Sequence, residues 1–254
     1  MQKLVSINLK SDFGFFRKPD ANNTINLSYN MLHKPALLGI FGAITGLDGY
    51  KEKNKLPQYY EVFKDLKIGI EPLDHEKGNF QKTVIKYSNS VGYANNGSTY
   101  LTEEATLIKP SYRVYVLLNF ENEHQKLLFE NLRDGKAEYL PYFGKNEFSV
   151  WWENFQEYKF SMESIPQSSF KVKSLFLKHD VIQEQRQAPL FNFNSFWENE
   201  TPFMYFERLP QNIDTSLFQY NLGDFVFTTF ELKETANINN LYKLENTEFY
   251  VQLL

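Results

Sequence analysis

The sequence predicts an α+β fold, and three stretches carry that prediction. Residues 107–120 alternate, with Tyr112, Val114, Val116 and Leu118 on one face and Arg113, Tyr115 and Leu117 on the other, which is the period of a strand. Residues 123–134 repeat apolar positions at helical spacing and turn Leu127, Leu128 and Leu132 inward, and Gly135 stands where a helix ends in a left-handed residue. Residues 35–47, PALLGIFGAITGL, read as a short apolar helix opened by Pro35, whose missing amide costs nothing in the first turn. Gly39, Gly42 and Gly46 fall at i, i+3 and i+7 and leave a bare stripe that can press against another element. The stripe suits a tightly seated helix in a nucleotide-binding module, and it also suits close packing in any α/β core.

In chain order, Val5, Ile7 and Leu9 alternate with polar neighbours as a first strand. Residues 12–30 are polar and irregular, with Phe13, Phe15 and Phe16 embedded and Arg17-Lys18-Pro19 at a bend. A strand-to-helix connection of that length is more often functional than idle. The glycine helix is followed by a Lys-rich turn, a short helix near 58–65 and a strand at 66–71. Residues 79–104 are rich in Lys, Tyr, Asn and Ser, carry the tight-turn pair Asn96-Gly97, and read as a projecting hairpin or lobe. Next come the 107–120 strand, the 123–134 helix, and a strand, loop and strand over 139–150.

Residues 1–150 thus give strand, helix, strand, hairpin, strand, helix, strand. That is close to the split βαβ order of a ferredoxin-like sheet, the architecture of RNA-recognition modules. Residues 151–254 hold strand-like runs at 170–178, 203–208, 225–232 and 249–253 without a comparable helix, and form a smaller β-rich part.

Composition narrows the function. The 254 residues include no cysteine, which excludes disulfides, thiolate metal sites and a cysteine nucleophile. The absence of a basic-then-apolar leader over residues 1–10 argues against secretion, so the cytoplasm is the expected compartment. The apolar run 36–47 falls short of the roughly 20 residues a bilayer requires. The formal charge of −4 divides unevenly, with 13 Lys+Arg against 9 Asp+Glu in residues 1–100 and 14 against 22 in residues 101–254. A mildly basic first part permits phosphate binding, and the acidic remainder suits protein neighbours, although ordinary enzymes show similar asymmetry. Aromatics reach 17%, with 24 Phe and 16 Tyr, enough to supply surface stacking platforms or subunit contacts. A β-rich core under codon bias toward Phe and Tyr yields the same figure.

Motifs of common chemistries are missing. The glycine helix matches neither G-x-G-x-x-G nor a phosphate loop, and no G-x-S-x-G elbow occurs. His33, His75, His124 and His179 stand far apart without ligand spacing, so no metal or cofactor is expected. Metal-free RNA cleavage needs only a base, a cation and a placed phosphate. Tyr29, His33 and Lys34 flank the amino end of the glycine helix, where amides and dipole favour a phosphate. They suit gripping RNA, which has fewer geometric requirements than cutting it.

Four segments together resemble the CRISPR-associated Cas-five family, particularly its type I-B branch. They are PALLGIFGAITGL at 35–47, LIKPSYRVYV at 107–116, YLPYFGKNEF at 139–148 and FMYFERLP at 203–210, all in the family's order. The resemblance implies a ferredoxin-like RAMP domain with a thumb hairpin, and a non-catalytic subunit of the crRNA-guided Cascade complex that serves DNA interference in antiviral defence. Such a subunit holds the repeat-derived 5′ handle of the crRNA. It contacts the Cas-seven backbone and Cas-eight large subunits near the site of target DNA recognition.

Carried onto this chain, the resemblance makes Arg17, Lys18, Tyr29, Asn30, His33, Lys34, Tyr142, Gly144, Lys145 and Asn146, with Phe143 among the turn residues, candidates for the handle site. Lys82, Lys86, Tyr87, Asn95 and Tyr100 become the thumb's nucleic-acid contacts. No catalytic residue is expected, because a separate Cas-six nuclease cuts the precursor in the I-B branch. The alternative is a metal-independent endoribonuclease acting on precursor crRNA with His33 as base. A third reading is a purely structural scaffold.

Overall fold

A computed structural model describes residues 1–19, 24–89, 100–162, 166, 168–178, 181–183, 191–192 and 201–254. Its central element is a four-stranded antiparallel sheet built from β1 (Gln2–Lys10), β2 (Lys67–Leu73), β5 (Ser111–Asn119) and β6 (Trp151–Tyr158), in the order β6-β1-β5-β2. A hairpin of β3 (Lys82–Asn89) and β4 (Tyr100–Ile108) stands between β2 and β5 in the chain. Helix α1 (Lys34–Thr45) and the short α2 (Gln58–Phe63) connect β1 to β2, and α3 (Glu123–Asp134) connects β5 to β6. The C-terminal part contains the long hairpin of β7 (Met204–Ile213) and β8 (Tyr220–Thr228), and a smaller sheet holding β9 (Leu241–Leu244) and β10 (Phe249–Gln252). Among the described residues, no helix is long and apolar enough to cross a membrane.

Alternation explains the sheet. Val5 pairs with Val116, Ile7 with Val114 and Leu9 with Tyr112, so one face is continuous apolar surface. That face packs on α1 through residues such as Leu37, Phe41 and Ile44, and on α3 through Leu128, Phe129 and Leu132. Leu127, expected inward, is exposed because Phe129 takes the inner position beside Phe120. The opposite face carries Leu4, Tyr115 and Leu117, and it packs against Tyr242, Leu244, Val251 and Leu253 of the C-terminal strands. Both faces of the sheet are therefore covered. Full burial of each such side chain stabilises by about 1.5–3 kcal/mol.

The glycine helix is capped at both ends. His33 caps it from within, its Nδ1 accepting from the Ala36 amide at 3.3 Å, and Gly46 closes it in the left-handed region at φ 75°. Of the three expected contact glycines, Gly42 takes the close approach. A Cβ there would stand 2.4 Å from Cβ of Tyr59 on α2.

Three boundaries differ from the sequence reading. The expected strand 107–120 breaks at Lys109, whose φ is 47°, and at Pro110, so one apolar run serves two sheets. Residues 139–150 form a turn with a single bridge, Tyr142 to Ser149, where strands were expected. The strand that completes the sheet is β6, so the division at residue 150 gives way to a sheet that continues to Tyr158. Nor does the C-terminal part keep to a separate core, since Leu175, Leu209, Phe225 and Phe227 join the helix-side cluster.

Candidate nucleic-acid interface

The connection between β1 and α1 is fixed by one asparagine and one glutamate. Asn30 is buried; its Nδ2 donates to the Gly78 carbonyl at 2.7 Å, its Oδ1 accepts from the Phe80 amide at 3.1 Å, and its carbonyl accepts from the Tyr112 hydroxyl at 2.6 Å. Glu207 of β7 accepts from the amides of Asn30 at 3.0 Å and Met31 at 3.1 Å, and from the Tyr205 hydroxyl at 2.9 Å. Lys18 Nζ lies 3.1 Å from the same carboxylate and 5.0 Å from the centre of the Tyr29 ring. All four segments that carry the resemblance meet here or one residue away, because Tyr112, Phe143 and Glu207 converge on the stretch leading into α1.

This geometry corrects three expected contacts. Tyr29, Asn30 and His33 face inward and are buried, so they shape the connection from inside and present no side chain to a ligand. His33 is ringed by Phe16, Tyr29 and Tyr220, and burial pushes its imidazole down to about 3, which keeps it neutral. Lys34 is partly buried, donates to the main-chain oxygen of Leu254 at 3.0 Å, and is lowered to about 8 by burial against the opposing pull of Asp65.

Of the remaining handle candidates all but Phe143, which is buried, reach the surface at least in part. Arg17 is exposed on a two-residue strand paired with Ser28–Tyr29. Tyr142, Gly144 and Asn146 are exposed on the turn after α3. That turn is pinned to the Arg17 segment, since the Phe15 amide donates to the Phe143 carbonyl at 3.0 Å. Gly144 has φ 83°, and a Cβ there would stand 1.9 Å from the Phe15 carbonyl oxygen, so no other residue fits.

Lys145 links the turn to the hairpin. Its Nζ lies 2.7 Å from Glu104 on β4 and 3.8 Å from the centre of the Tyr87 ring on β3. Burial works against its charge, but the hydrogen bond and charge of Glu104 outweigh it, and the ammonium is held above its ordinary value. Lys86 is exposed and paired with Glu103 at 2.7 Å. Burial lowers the Lys82 ammonium, Glu207 opposes the fall and Lys18 adds to it. Tyr100 opens β4, and Asn95, with the Asn96-Gly97 pair, lies outside the described residues.

The structure thus places Lys18 and Lys82 at Glu207, where the hairpin begins, Lys145 against Tyr87 and Glu104 further along it, and Arg17 exposed on the adjoining short strand. It removes the buried trio Tyr29, Asn30 and His33 from the contact set. Sequence reasoning missed Glu207, although an acid inside the apolar run FMYFERLP is itself a signal of a buried anchoring carboxylate. The covered second face of the sheet also rules out stacking of bases on the sheet surface, the mode of RNA-recognition modules.

Neither a protein-family model nor a curated protein matches the chain. Among solved structures, a chain of the Type III-B Cmr-beta complex bound to cognate target RNA and AMPPnP matches at a TM-score of 0.51 and 12% identity, over 97% of this chain and 99% of that one. A CRISPR protein from Archaeoglobus fulgidus matches at 0.45 and 15%, over 97% of each chain. A chain of a CRISPR RNA-guided surveillance complex matches at 0.45 and 11%, over 89% of this chain and 91% of that one. At 12% identity the Cmr-beta likeness is one of fold, and it runs almost from end to end of both chains.

Proposed function

We propose that this chain is a non-catalytic crRNA-binding subunit of a type I, I-B-like CRISPR surveillance complex, a member of the Cas-five branch of the RAMP proteins. The sheet order β6-β1-β5-β2 with α1 and α3 on one face supports the ferredoxin-like reading, in which the β3–β4 hairpin takes the part of the thumb. The observation that carries the reading is the set of cations and rings along that hairpin: Lys18 and Lys82 at Glu207, Lys145 against Tyr87 and Glu104, and the exposed Arg17 on the adjoining short strand. Cations there face phosphates, and the ring suits a splayed base. The repeat-derived 5′ handle lies against this cluster, and the acidic remainder of the chain faces the Cas-seven and Cas-eight subunits beside target DNA. A low net charge suits a member of an assembly that shares its RNA contacts.

The non-catalytic assignment is supported by His33, the proposed base of the alternative reading. It is buried, neutral and engaged as a helix cap. Incubation of the purified chain with labelled repeat RNA gives retention without cleavage, and Arg17→Ala weakens retention most at low salt. Defined cut products that persist in chelator would overturn the assignment.

A further inference from the structure

Two glutamates stand side by side on β4 and pair with two different lysines. Neighbours on a strand point to opposite faces, so Glu103 meets Lys86 of β3 at 2.7 Å on one face, and Glu104 meets Lys145 of the Gly144 turn, also at 2.7 Å, on the other. The two pairs differ in setting. Lys86 keeps 75% of its side chain exposed and Glu103 31%, whereas Lys145 keeps 23% and Glu104 12%. An exposed pair fixes little, since side-chain entropy and solvent cancel most of its attraction. The more buried pair holds its ammonium in one place.

The surroundings of Lys145 show how firmly it is held. Its main chain is fixed, because the Phe148 amide donates to the Lys145 carbonyl at 2.9 Å and Gly144 abuts Phe15. Its ammonium lies 3.8 Å from the centre of the Tyr87 ring and 5.9 Å from that of Phe15. Tyr87 shares a face of the hairpin with Glu104, since Ile85 pairs with Glu104 and Tyr87 lies two residues on. Glu104 is itself seated on a middle strand, between Ile85 on one side and Asn26 on the other. A lysine side chain carries a large rotamer entropy, which a free one loses each time it orders on a ligand. Here that order exists beforehand, and because Glu104 takes one of the three N–H groups, donating capacity remains for another anion.

We infer that Glu104 is a positioning residue for Lys145, holding the ammonium against Tyr87 before RNA arrives so that a phosphate meets a donor already in place. This rests on the RNA-binding reading above and adds to it an acid whose part is to orient a cation. The expected sign is the reverse of a bystander's. A carboxylate that merely stands near RNA repels phosphates, so neutralising it tightens binding. A carboxylate that aims a lysine weakens binding when neutralised, because the freed side chain must be ordered anew at each encounter.

The test measures binding of the full chain to a labelled single-stranded RNA of the repeat sequence by fluorescence anisotropy. Glu104→Gln weakens binding about 5-fold, the effect of ordering one lysine on the ligand. Glu103→Gln, the control on the exposed face, binds as tightly as the wild type or up to about 2-fold more tightly. Lys145→Ala weakens binding about 10-fold and lowers the salt dependence by about one phosphate contact. In the Lys145→Ala background Glu104→Gln has no further effect, since a positioning residue acts only through the group it positions. Thermal melts of all four variants report the fold separately.

If the wild-type chain binds RNA and Glu104→Gln binds as tightly or more tightly, the acid is a bystander, the inference is overturned and the RNA-binding reading stands. If Glu104→Gln weakens binding to the same extent whether or not Lys145 is present, it acts through the fold and not through that lysine, and the inference is again overturned. If the wild-type chain retains no RNA, the functional reading itself falls, and the role of Glu104 with it.

Discussion

Glu207 illustrates how much one buried carboxylate can organise. It receives two backbone amides, a phenol and an ammonium, and it does so from β7, far along the chain from the loop it holds. Removing it leaves those donors unpaired in a buried setting, so Glu207→Ala lowers unfolding free energy by about 3 kcal/mol. Glu207→Gln keeps one acceptor and costs about half as much. Urea denaturation checks both, and an alanine effect under about 1 kcal/mol would remove Glu207 from this role.

His33 makes a pH prediction with a definite sign. Folded, it stays neutral down to about pH 3; unfolded, it takes up a proton near pH 6.5. Between those values the unfolded chain binds more protons, so stability is full above pH 6.5 and falls as pH drops, by about 1.4 kcal/mol per unit. His33→Asn keeps a capping acceptor and removes this slope. Comparing urea midpoints of the two proteins at pH 7 and pH 5 isolates the imidazole from the carboxylates, which titrate in both. Equal slopes would show that the imidazole is not shielded in the folded chain.

At the scale of elements, two glycines with similar backbones separate conformational strain from crowding. Gly135 ends α3 at φ 67° with open space around its missing side chain, whereas Gly144 at φ 83° abuts the Phe15 carbonyl. Gly135→Ala therefore costs only the left-handed penalty of about 1 kcal/mol, and Gly144→Ala costs more than about 2 kcal/mol because the turn must lift off. Thermal melts of the two variants rank them, and equal shifts would mean that the turn is free to move.

Elements were also what the sequence showed best. The span 123–134, its closing Gly135 and the Pro35 helix were readable because caps and periodicity are local. Strand β6 was not, because its burial comes from β1 and α3 on distant stretches, and its own pattern of Trp151, Trp152 and Phe155 among acids has no clean period. The candidate site was legible in part. Arg17, Lys145 and Tyr142 reach the surface as residue type suggested, but Tyr29, Asn30 and His33 turned inward because the loop's own amides and carbonyls needed partners.

For the whole molecule, the sheet with both faces buried decides where a ligand can go. Leu4, Tyr115 and Leu117 meet Val251 and Leu253 across the second face, and the main chains of Ile68 and Leu254 exchange hydrogen bonds at 3.0 and 2.8 Å. Val251→Asp puts a carboxylate in that seam and abolishes the cooperative melt, while Val251→Ala costs about 2 kcal/mol. An aspartate variant that melts like the wild type would mean that the seam opens. This closure was invisible in sequence, since alternation in β5 signals two faces without saying what covers each.

The 177 positions between Asn30 and Glu207 set an order of events during synthesis. At about 5–20 residues per second, the ribosome delivers that carboxylate roughly 10–35 s after the loop it secures. Until then the amides of Asn30 and Met31 have only water, and the loop that enters α1 stays unfinished. The stretch between β1 and α1 therefore sets only after β7 has left the ribosome.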